Sequence, residues 1–302
     1  MRYLVFLTVD LQISQRAAAK LINQFFGLDL SAESAGRFKK SAATFYEVTY
    51  KKILGNIVKS PLAHVDETKV SLYGKSAYVW VLANQEDVVY FVSENREGAK
   101  VKDILRKFKG ILVSDFYSLY DSFECPQQKC LIHLMRDLNE DLLREPFNEE
   151  LKSVVNGFGS LVKPIVETVD RYGLKRRFMK RHKRSVGRFY RWLTQTNFAT
   201  EVGVGYKKRF EKNREKLFTF MDYDDVPWNN NAAEHAIKAF ATLRRVFGGS
   251  STERGIHDYL ILLSVCQTCR YRGLNFWKFL CSGYKDVDAY TKSQRSHRRR
   301  LA

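Results

Sequence analysis

The spacing of apolar and polar positions divides the chain near Pro61. Before it, apolar residues recur at the spacing of one helix face, first up to Leu11 and then from Gln15 to Phe26. A glycine-containing turn follows, and Ser31 is a residue type that caps helix N-termini. The pattern predicts a helical segment over 1–58. A DNA-binding helix-turn-helix and a plain helical hairpin account for it equally well.

After Pro61 the apolar residues are β-branched or aromatic and occur in short runs separated by turn residues. The predicted strands are 62–66, 76–82, 87–92 and 111–113, with a helix over 98–108 before the fourth strand. Three strands, a helix and a strand that ends in Asp115 form the opening order of a ribonuclease-H-like fold, whose site lies at strand ends. We therefore predict an α/β fold with a ribonuclease-H-like mixed sheet as its core.

A long helical region is predicted to interrupt this core. Cys130–His133 is predicted to be a short fifth strand that leads into a helix over 134–143. From 146 the strand patterns stop, and roughly 80 residues of helical spacing are too many for a structureless loop. The predicted organisation is a helical N-terminal segment (1–58), a first core part (59–145), an all-helical insertion (146–226), a second core part (227–290) and a basic tail (291–302).

The charge balance favours a polyanionic partner. The chain has 51 Lys and Arg against 33 Asp and Glu, a formal net charge of +18. Nucleic acid fits this excess better than a membrane, because no apolar run reaches the roughly 18–20 residues that span a bilayer. Basic residues interleaved with aromatic ones, and with few opposing acids, favour DNA-phosphate contact by the insertion. The candidates are Arg176, Arg177, Arg181, Arg184 and Arg188, and further along Lys238, Arg244 and Arg245, for which a solvated helix face is an equal alternative.

Cysteine usage argues against both disulfides and zinc. Five cysteines without disulfide-framework spacing suit a reducing compartment, so the expected location is the cytoplasm, at the nucleoid if the source is prokaryotic. Cys266 and Cys269 form one CxxC without a second pair to complete four zinc ligands. Core packing accounts for these two residues better.

One carboxylate is marked out by its position at a helix start. Asn229–Asn231 can cap a helix, and Glu234 then lies in its first turns on a rigid element. A glutamate there is ordinary helix-dipole chemistry unless other acids accompany it. Asp66 on the first strand and Asp115 after the fourth are such acids, and carboxylates can bridge two hard cations in phosphoryl-transfer sites. We therefore predict that Asp66, Asp115 and Glu234 are catalytic and bind two Mg²⁺ or Mn²⁺ ions.

Other polar residues are expected to support these acids. Cys130 and His133 provide only two ligands, so orientation of the nearby acids or packing is expected rather than a separate metal site. Asn231 is placed in the same supporting group. Glu67 follows Asp66 and is expected on the opposite strand face, because side chains alternate along a strand.

Four motifs occur in an order that resembles a known family. They are His64–Thr68, Ser114–Tyr117, Cys130–His133, and Asn229–Glu234 followed by Arg244 and Arg245. This order resembles the insertion-sequence-66 transposases, a DDE group with a ribonuclease-H-like core, and residues 1–40 resemble the helical segment before that core. The resemblance implies a metal-dependent transposase that cleaves transposon ends and transfers the strands into target DNA. It also implies that Asp66, Asp115 and Glu234 are the metal-binding triad.

The resemblance also implies partners and alternatives. Two transposon ends must be handled together, so a homo-oligomer on DNA is expected, with proteins encoded by the same element as candidate accessory partners. The family usually carries a Cys-rich segment and a long helix upstream, whereas this sequence begins at Met1 without them. Two alternatives stay open: a truncated or inactive copy that only binds DNA, and a ribonuclease-H-like nuclease that only hydrolyses it.

Overall fold

The computed structural model describes residues 1–72, 75–247 and 252–301, without the side chains of 243, 245, 247 and 295–301. The chain forms two compact units. The first unit comprises Met1–Gly110 and Asn231–Ala302, and the second comprises Ile111–Asn230. The five segments predicted from sequence divide the chain more finely and stay predictions.

Helices precede and follow the sheet of the first unit. They are α1 (Arg2–Val5), continued by a π-helical turn (Phe6–Asp10), α2 (Gln15–Phe26), α3 (Ala32–Lys59), α4 (Ala99–Leu105), α11 (Asn231–Phe247), α12 (Glu253–Tyr271), α13 (Phe276–Ser282) and α14 (Val287–Leu301). The hydroxyls of Ser14 and Ser31 accept hydrogen bonds from first-turn N–H groups of α2 and α3. Gly27 ends α2 in the left-handed region with φ 63°. The predicted early helices and the Ser31 cap are therefore confirmed, and α14 contains most of the residues predicted as a basic tail.

The strands of the first unit form an antiparallel meander. They are β1 (Leu62–Leu72), β2 (Lys75–Ala83) and β3 (Val88–Ser93). β2 lies between β1 and β3, so the order is β3-β2-β1, and Asp66 lies opposite Val81. The predicted meander is confirmed. β1 is longer than predicted because residues 67–72 also pair with β2.

Helix α12 closes the outer edge of β3. Only one side of β3 pairs with β2, so the backbone groups of its other side need partners elsewhere. The N–H groups of Val88 and Tyr90 donate to the hydroxyl oxygens of Thr268 (3.0 Å) and Ser264 (2.9 Å) on α12. Because these donors are buried, the two acceptors fix the position of α12 along the strand.

The middle of α12 is buried on every side, from Tyr259 to Cys269. None of the helices in the described ranges is long and apolar enough to cross a membrane. Cys266 and Cys269 both lie in this buried stretch, which confirms their prediction as core residues. Burial raises the pKa of the Cys269 thiol to about 12, so the thiolate form that binds metals is disfavoured at neutral pH.

The second unit begins with two parallel strands and continues as helices. The strands are β4 (Ile111–Ser114) and β5 (Gln127–Lys129), with Ser114 opposite Lys129. The helices are α5 (Leu131–Arg144), α6 (Glu149–Tyr172), α7 (Arg176–Met179), α8 (Lys183–Gln195), α9 (Glu201–Lys212) and α10 (Arg214–Leu217). Phe158 of α6 contacts Phe189 of α8 and Phe210 of α9, and all three rings are buried. This aromatic core holds the longer helices together.

The prediction of a strand at Cys130–His133 is wrong. The strand is β5, and Cys130 is the N-cap residue of α5. Periodicity does not identify β5, because its three residues are polar and nevertheless buried. Gln128 shows how this is possible: its Nε2 donates to the carbonyl oxygen of Leu217, and its Oε1 accepts from the N–H of Phe220.

Candidate active site

Asp66 lies on β1 and is half-buried. Its Oδ1 accepts a 2.9 Å hydrogen bond from the backbone N–H of Glu67, which restricts the rotation of the carboxylate. The side chain of Glu67 itself is only 3% exposed and pairs with Arg96. Neighbouring strand residues point to opposite faces, so Glu67 has a structural role that is separate from that of Asp66.

Glu234 lies in the first turn of α11 and is also half-buried. α11 packs against β1 and β2. The helix that carries Glu234 therefore rests on the strand that carries Asp66. Asn231, the other predicted residue of this turn, is the exposed first residue of the helix.

Two tyrosine hydroxyls hold the backbone on either side of Glu234. Tyr271 of α12 donates to the carbonyl oxygen of Ala232 (2.6 Å), and Tyr90 of β3 donates to that of Ala236 (2.7 Å). Tyr90 is fully buried, and burial raises its pKa well above the ordinary value, so the hydroxyl remains a donor. These contacts are made by residues that sequence patterns would assign to the core.

Asp115 directly follows β4 in the second unit and is half-buried. Its Oδ1 accepts a 2.9 Å hydrogen bond from the N–H of Tyr117, which closes a short turn and restricts the carboxylate. The hydroxyl of Ser114 donates to the carbonyl oxygen of Asp115 (2.9 Å) and accepts from Nζ of Lys129 (3.2 Å). The start of this turn is thus tied to β5.

Lys129 is a buried cation that the sequence patterns do not reveal. Its side chain is 1% exposed, and its Nζ lies 3.5 Å from a carboxylate oxygen of Asp121. Burial lowers the pKa of Lys129 to about 8, although Asp121 and Asp115 oppose the shift. Burial would raise the pKa of Asp121, but hydrogen bonds from Lys216 and Lys212 hold it at about 2. This charge network stabilises the strand ends next to Asp115.

Cys130 and His133 lie at the start of α5, where Sγ of Cys130 and a ring nitrogen of His133 are within 4.8 Å of each other. The N–H of Asn230 donates to Sγ of Cys130 (3.3 Å), and the N–H of Leu131 donates to the carbonyl oxygen of Trp228 (2.9 Å). These two contacts hold the segment before α11 against the start of α5. The backbone contact to Cys130 shows why a small, weakly polar side chain suits this position.

The arginines predicted to contact phosphates in the insertion are all exposed. They are Arg176, Arg177, Arg181, Arg184 and Arg188. Two aromatic residues next to them are buried instead: Phe189 and Tyr190 of α8 are 6% and 2% exposed. α8 is therefore amphipathic, with one face in the aromatic core and its arginines on the other.

Three arginines are held by stacked rings in what we name the arginine–aromatic ladder: Arg171, Tyr172, Arg177, Phe178 and Arg181. The rings of Tyr172 and Phe178 stack with centroids 4.6 Å apart. The guanidinium carbon of Arg177 lies 4.5 Å from the centroid of the Phe178 ring. Those of Arg171 and Arg181 lie 5.3 and 5.8 Å from the centroid of the Tyr172 ring. These cation–π contacts restrict the guanidinium groups.

Acids from a distant stretch neutralise part of the positive charge around the ladder. The contacts are Asp225 with Lys175, Asp222 with Lys183, and Asp224 with the backbone N–H of Arg176. Few acids are near these basic residues in the sequence, but the fold brings three aspartates to them. Within the described ranges the aspartates contact two lysines and one backbone N–H group, not the guanidinium groups of the five arginines.

Lys238 and Arg244 lie on α11 in the first unit, and both are exposed. Arg244 donates a 2.6 Å hydrogen bond to the carbonyl oxygen of Lys69, which ties α11 to β1. The side chain of Arg245 lies outside the described residues. Arg244 therefore has a structural contact in addition to its predicted role at DNA.

Residues 10–258 match the protein-family model described as "Transposase IS66 family". The chain belongs to the IS66 transposase family. The predicted resemblance is thereby confirmed. The matched range contains the three acids Asp66, Asp115 and Glu234 and the whole basic stretch of the second unit.

This IS66 family member also resembles a protein of Sinorhizobium fredii named "Uncharacterized protein y4jO". The two are 29% identical over 72 residues, which are 24% of this chain and 22% of that protein. The similarity therefore covers about a fifth of the relative's length. Its name states no activity, so the relative adds no function to the family assignment.

The structure brings part of the predicted site together. In the first unit, Asp66 and Glu234 lie on elements that pack against each other. In the second unit, Asp115 follows β4, and Cys130 and His133 begin α5. Asp115 thus belongs to a different unit from the other two acids, and a joint site for the three carboxylates is a proposal.

Proposed function

We propose that this IS66 family member is a DNA transposase in which Asp66, Asp115 and Glu234 hold two divalent ions, Mg²⁺ or Mn²⁺. It cleaves a phosphodiester bond at each transposon end and joins the freed 3′-hydroxyl to target DNA. The observation that carries the proposal is the packing of α11, with Glu234 in its first turn, against β1, which bears Asp66. Two acids from distant parts of the sequence thereby lie on neighbouring rigid elements.

The donor chemistry of the three residues suits hard cations. Each is a half-buried carboxylate. Mg²⁺ prefers oxygen ligands and retains several waters, which a partly open site permits. When bound, the two ions activate the attacking oxygen and stabilise the leaving oxygen. Cys130 and His133 support the neighbouring acids, because two such ligands do not complete a metal site.

The chain's own contribution is to hold the carboxylates in fixed orientations. Backbone N–H groups donate to Oδ1 of Asp66 and of Asp115. The turn that carries Glu234 is held by Tyr90 and Tyr271. Such preorganisation reduces the rearrangement needed when DNA and ions bind. Cleavage and joining are both in-line displacements at phosphorus, so one site serves both steps.

The proposal includes a ribonuclease-H-like core. Its support is the order of elements: the antiparallel strands β1 to β3, then α4, then β4 followed by the parallel strand β5. The stretch from α5 to α10 is all-helical and separates these strands from α11. The helices α6 to α10 fall within 146–226, the range predicted as an insertion.

DNA contact is assigned to the arginines of the arginine–aromatic ladder, to Arg176, Arg184 and Arg188, and to Lys238, Arg244 and Arg245. Those with a described side chain are exposed, so they can reach phosphates. Each cation that neutralises a phosphate releases condensed counterions, which favours binding. Two transposon ends require at least two copies of the chain on DNA, with proteins of the same element as accessory partners. The expected place of action is the cytoplasm, at the nucleoid if the source is prokaryotic.

The test is a cleavage and strand-transfer assay with Mn²⁺ on oligonucleotides that carry the ends of the element encoding this chain. Asp66→Asn, Asp115→Asn and Glu234→Gln each remove one charge without changing side-chain size much. The matched control is Asp103→Asn, which removes an exposed carboxylate on α4. The proposal predicts joined products from wild type and from the control, and DNA binding without products from the other three variants.

Each other result has a definite meaning. Cleavage that survives in any one of the three variants contradicts the triad. Wild type that only hydrolyses the ends is a nuclease. Wild type that binds DNA but yields no product with Mn²⁺ is a DNA-binding protein without catalysis.

A further inference from the structure

A cleft in the second unit is lined by none of the residues assigned to catalysis. Its volume is about 490 Å³, within the range of roughly 300–1,000 Å³ that is usual for ligand pockets. Side chains from α8, from α10 and from the segment after α10 line it. They include Lys183, Tyr190, Arg214, Asp222 and Tyr223.

The walls of this cleft offer planes on which a base can stack. The guanidinium group of Arg214 lies 4.8 Å from the centroid of the Tyr190 ring. Arg214 is exposed, and a guanidinium plane can also stack on a base. Tyr223 adds an aromatic side chain that is 44% exposed. Proteins that bind single strands use such planes because every base has a π-face.

The charges of the cleft favour a nucleotide over a small free anion. Lys183 pairs with Asp222, and Glu215 lines the same cleft as Arg214. Two cations are thus offset by two acids, so a free phosphate gains little. A nucleotide has both an acceptor phosphate for the cations and base N–H donors for the acids.

A buried acceptor at the same cleft also lacks a donor. Gln127 lines the cleft, and its Oε1 accepts no hydrogen bond from the described residues. Its Nε2 is held by the carbonyl oxygens of Tyr120 and Phe123, which orients the amide. A base N–H group is the kind of donor that matches this oxygen.

Helix α8 contributes side chains both to the cleft and to the exposed arginines. Lys183 lies in the cleft, while Arg184 and Arg188 of the same helix are exposed. We propose that the cleft binds one unpaired nucleotide of single-stranded DNA whose phosphates lie along these arginines. A paired base stays in its stack and does not reach the cleft. The inference rests on the proposed function, because cleavage at an element's ends is what supplies unpaired nucleotides.

Gly187 allows a specific test. It lines the cleft, and a Cβ there would meet no atom of another segment within 4 Å among the described residues. Gly187→Phe should therefore fill the cleft without straining the fold. Gly205→Phe is the control, because Gly205 is an exposed glycine on α9 with equally open surroundings. Arg214→Lys is a second test variant that keeps the charge and removes the planar group.

The measurement is the affinity of the full chain for a fluorescent oligothymidine strand and for a duplex of the same length, with thermal unfolding as the folding control. We expect Gly187→Phe and Arg214→Lys to weaken single-strand binding about tenfold, the effect of losing one stacked base. Duplex binding, and both affinities of Gly205→Phe, should stay at the wild-type level.

Four outcomes overturn the inference. If both test variants bind the single strand as wild type does, the cleft holds no base. Equal losses for single strand and duplex assign the cleft to general DNA binding. Wild type that binds the duplex but not the single strand removes the inference and leaves the proposed function intact. Wild type that binds neither removes both.

Discussion

The hydroxyl of Tyr271 donates a 2.6 Å hydrogen bond to the carbonyl oxygen of Ala232, two residues before Glu234. A matching bond from Tyr90 to Ala236 lies two residues after it. Carbonyl oxygens inside a helix normally accept from the next turn, so these extra donors connect α11 to α12 and to β3. The position of Glu234 is therefore fixed by its helix's neighbours as well as by the helix itself.

Removing these hydroxyls should affect catalysis and stability to different degrees. Tyr90→Phe leaves a fully buried site without its donor and should cost about 1–3 kcal/mol of unfolding free energy. Tyr271 is half-buried, so water can replace its hydroxyl, and Tyr271→Phe should cost less. Both variants should cleave more slowly while binding DNA normally. Urea unfolding and single-turnover cleavage check this, and unchanged cleavage rates in both would show that the tyrosines do not position Glu234.

Lys129 should make the free energy of unfolding rise with pH in the alkaline range. Its folded pKa of about 8 lies below the ordinary value of 10.5, so between these two values the unfolded state binds more protons. The unfolding free energy contributed by this residue must then rise with pH over that window. Wild type should gain stability relative to Lys129→Met between about pH 8 and 10.5.

The control is Lys212→Met, which removes another lysine that pairs with Asp121 but is 66% exposed. Because that side chain is largely in solvent, losing its pair with Asp121 should cost at most about 1 kcal/mol. A constant difference between wild type and Lys129→Met across the window contradicts the burial of a titrating ammonium group there.

The aromatic core should carry much of the second unit's stability. Phe210→Ala empties space between two other buried rings and should lower the unfolding free energy by about 3–5 kcal/mol. Phe147 is 90% exposed, so Phe147→Ala should change it by less than about 0.5 kcal/mol. Chemical unfolding of both variants checks the contrast. Similar losses in the two variants would mean that the aromatic cluster is not the core.

The ladder should differ from nearby lysines in its DNA contacts. Arg177→Gln should weaken duplex binding. It should also lower the slope of log binding constant against log salt concentration by about one, the value of one phosphate contact. Lys175→Gln should have a smaller effect, because Lys175 is paired with Asp225. Binding isotherms at several salt concentrations measure both slopes. Equal slopes for the two variants would argue against a specific role for the ladder.

Local sequence signals predict the parts of this fold that depend on local chemistry. Ser31 caps α3 because a hydroxyl in that position accepts a first-turn N–H, and the meander follows from runs of β-branched and aromatic residues. β5 is not predictable in this way. Its polar residues are buried only because groups far along the chain, such as Leu217 and Phe220, satisfy Gln128.

The candidate site shows the same division. The three acids are recognisable because carboxylates are the side chains that hard cations prefer, and each stands on or beside a predicted strand or helix start. Lys129 and the two tyrosines are not recognisable, because their roles depend on contacts between residues far apart in sequence. Tyr271 meets Ala232 only in the folded chain, and Lys216 likewise meets Asp121, the acid beside Lys129.

Anomalous scattering from Mn²⁺ in crystals of the protein bound to an end oligonucleotide would show where the metal ions bind. We expect two Mn²⁺ ions about 4 Å apart that contact Asp66, Asp115 and Glu234. Mn²⁺ bound at other residues, or a Glu234 carboxylate turned away from Asp66 and Asp115, would contradict this expectation.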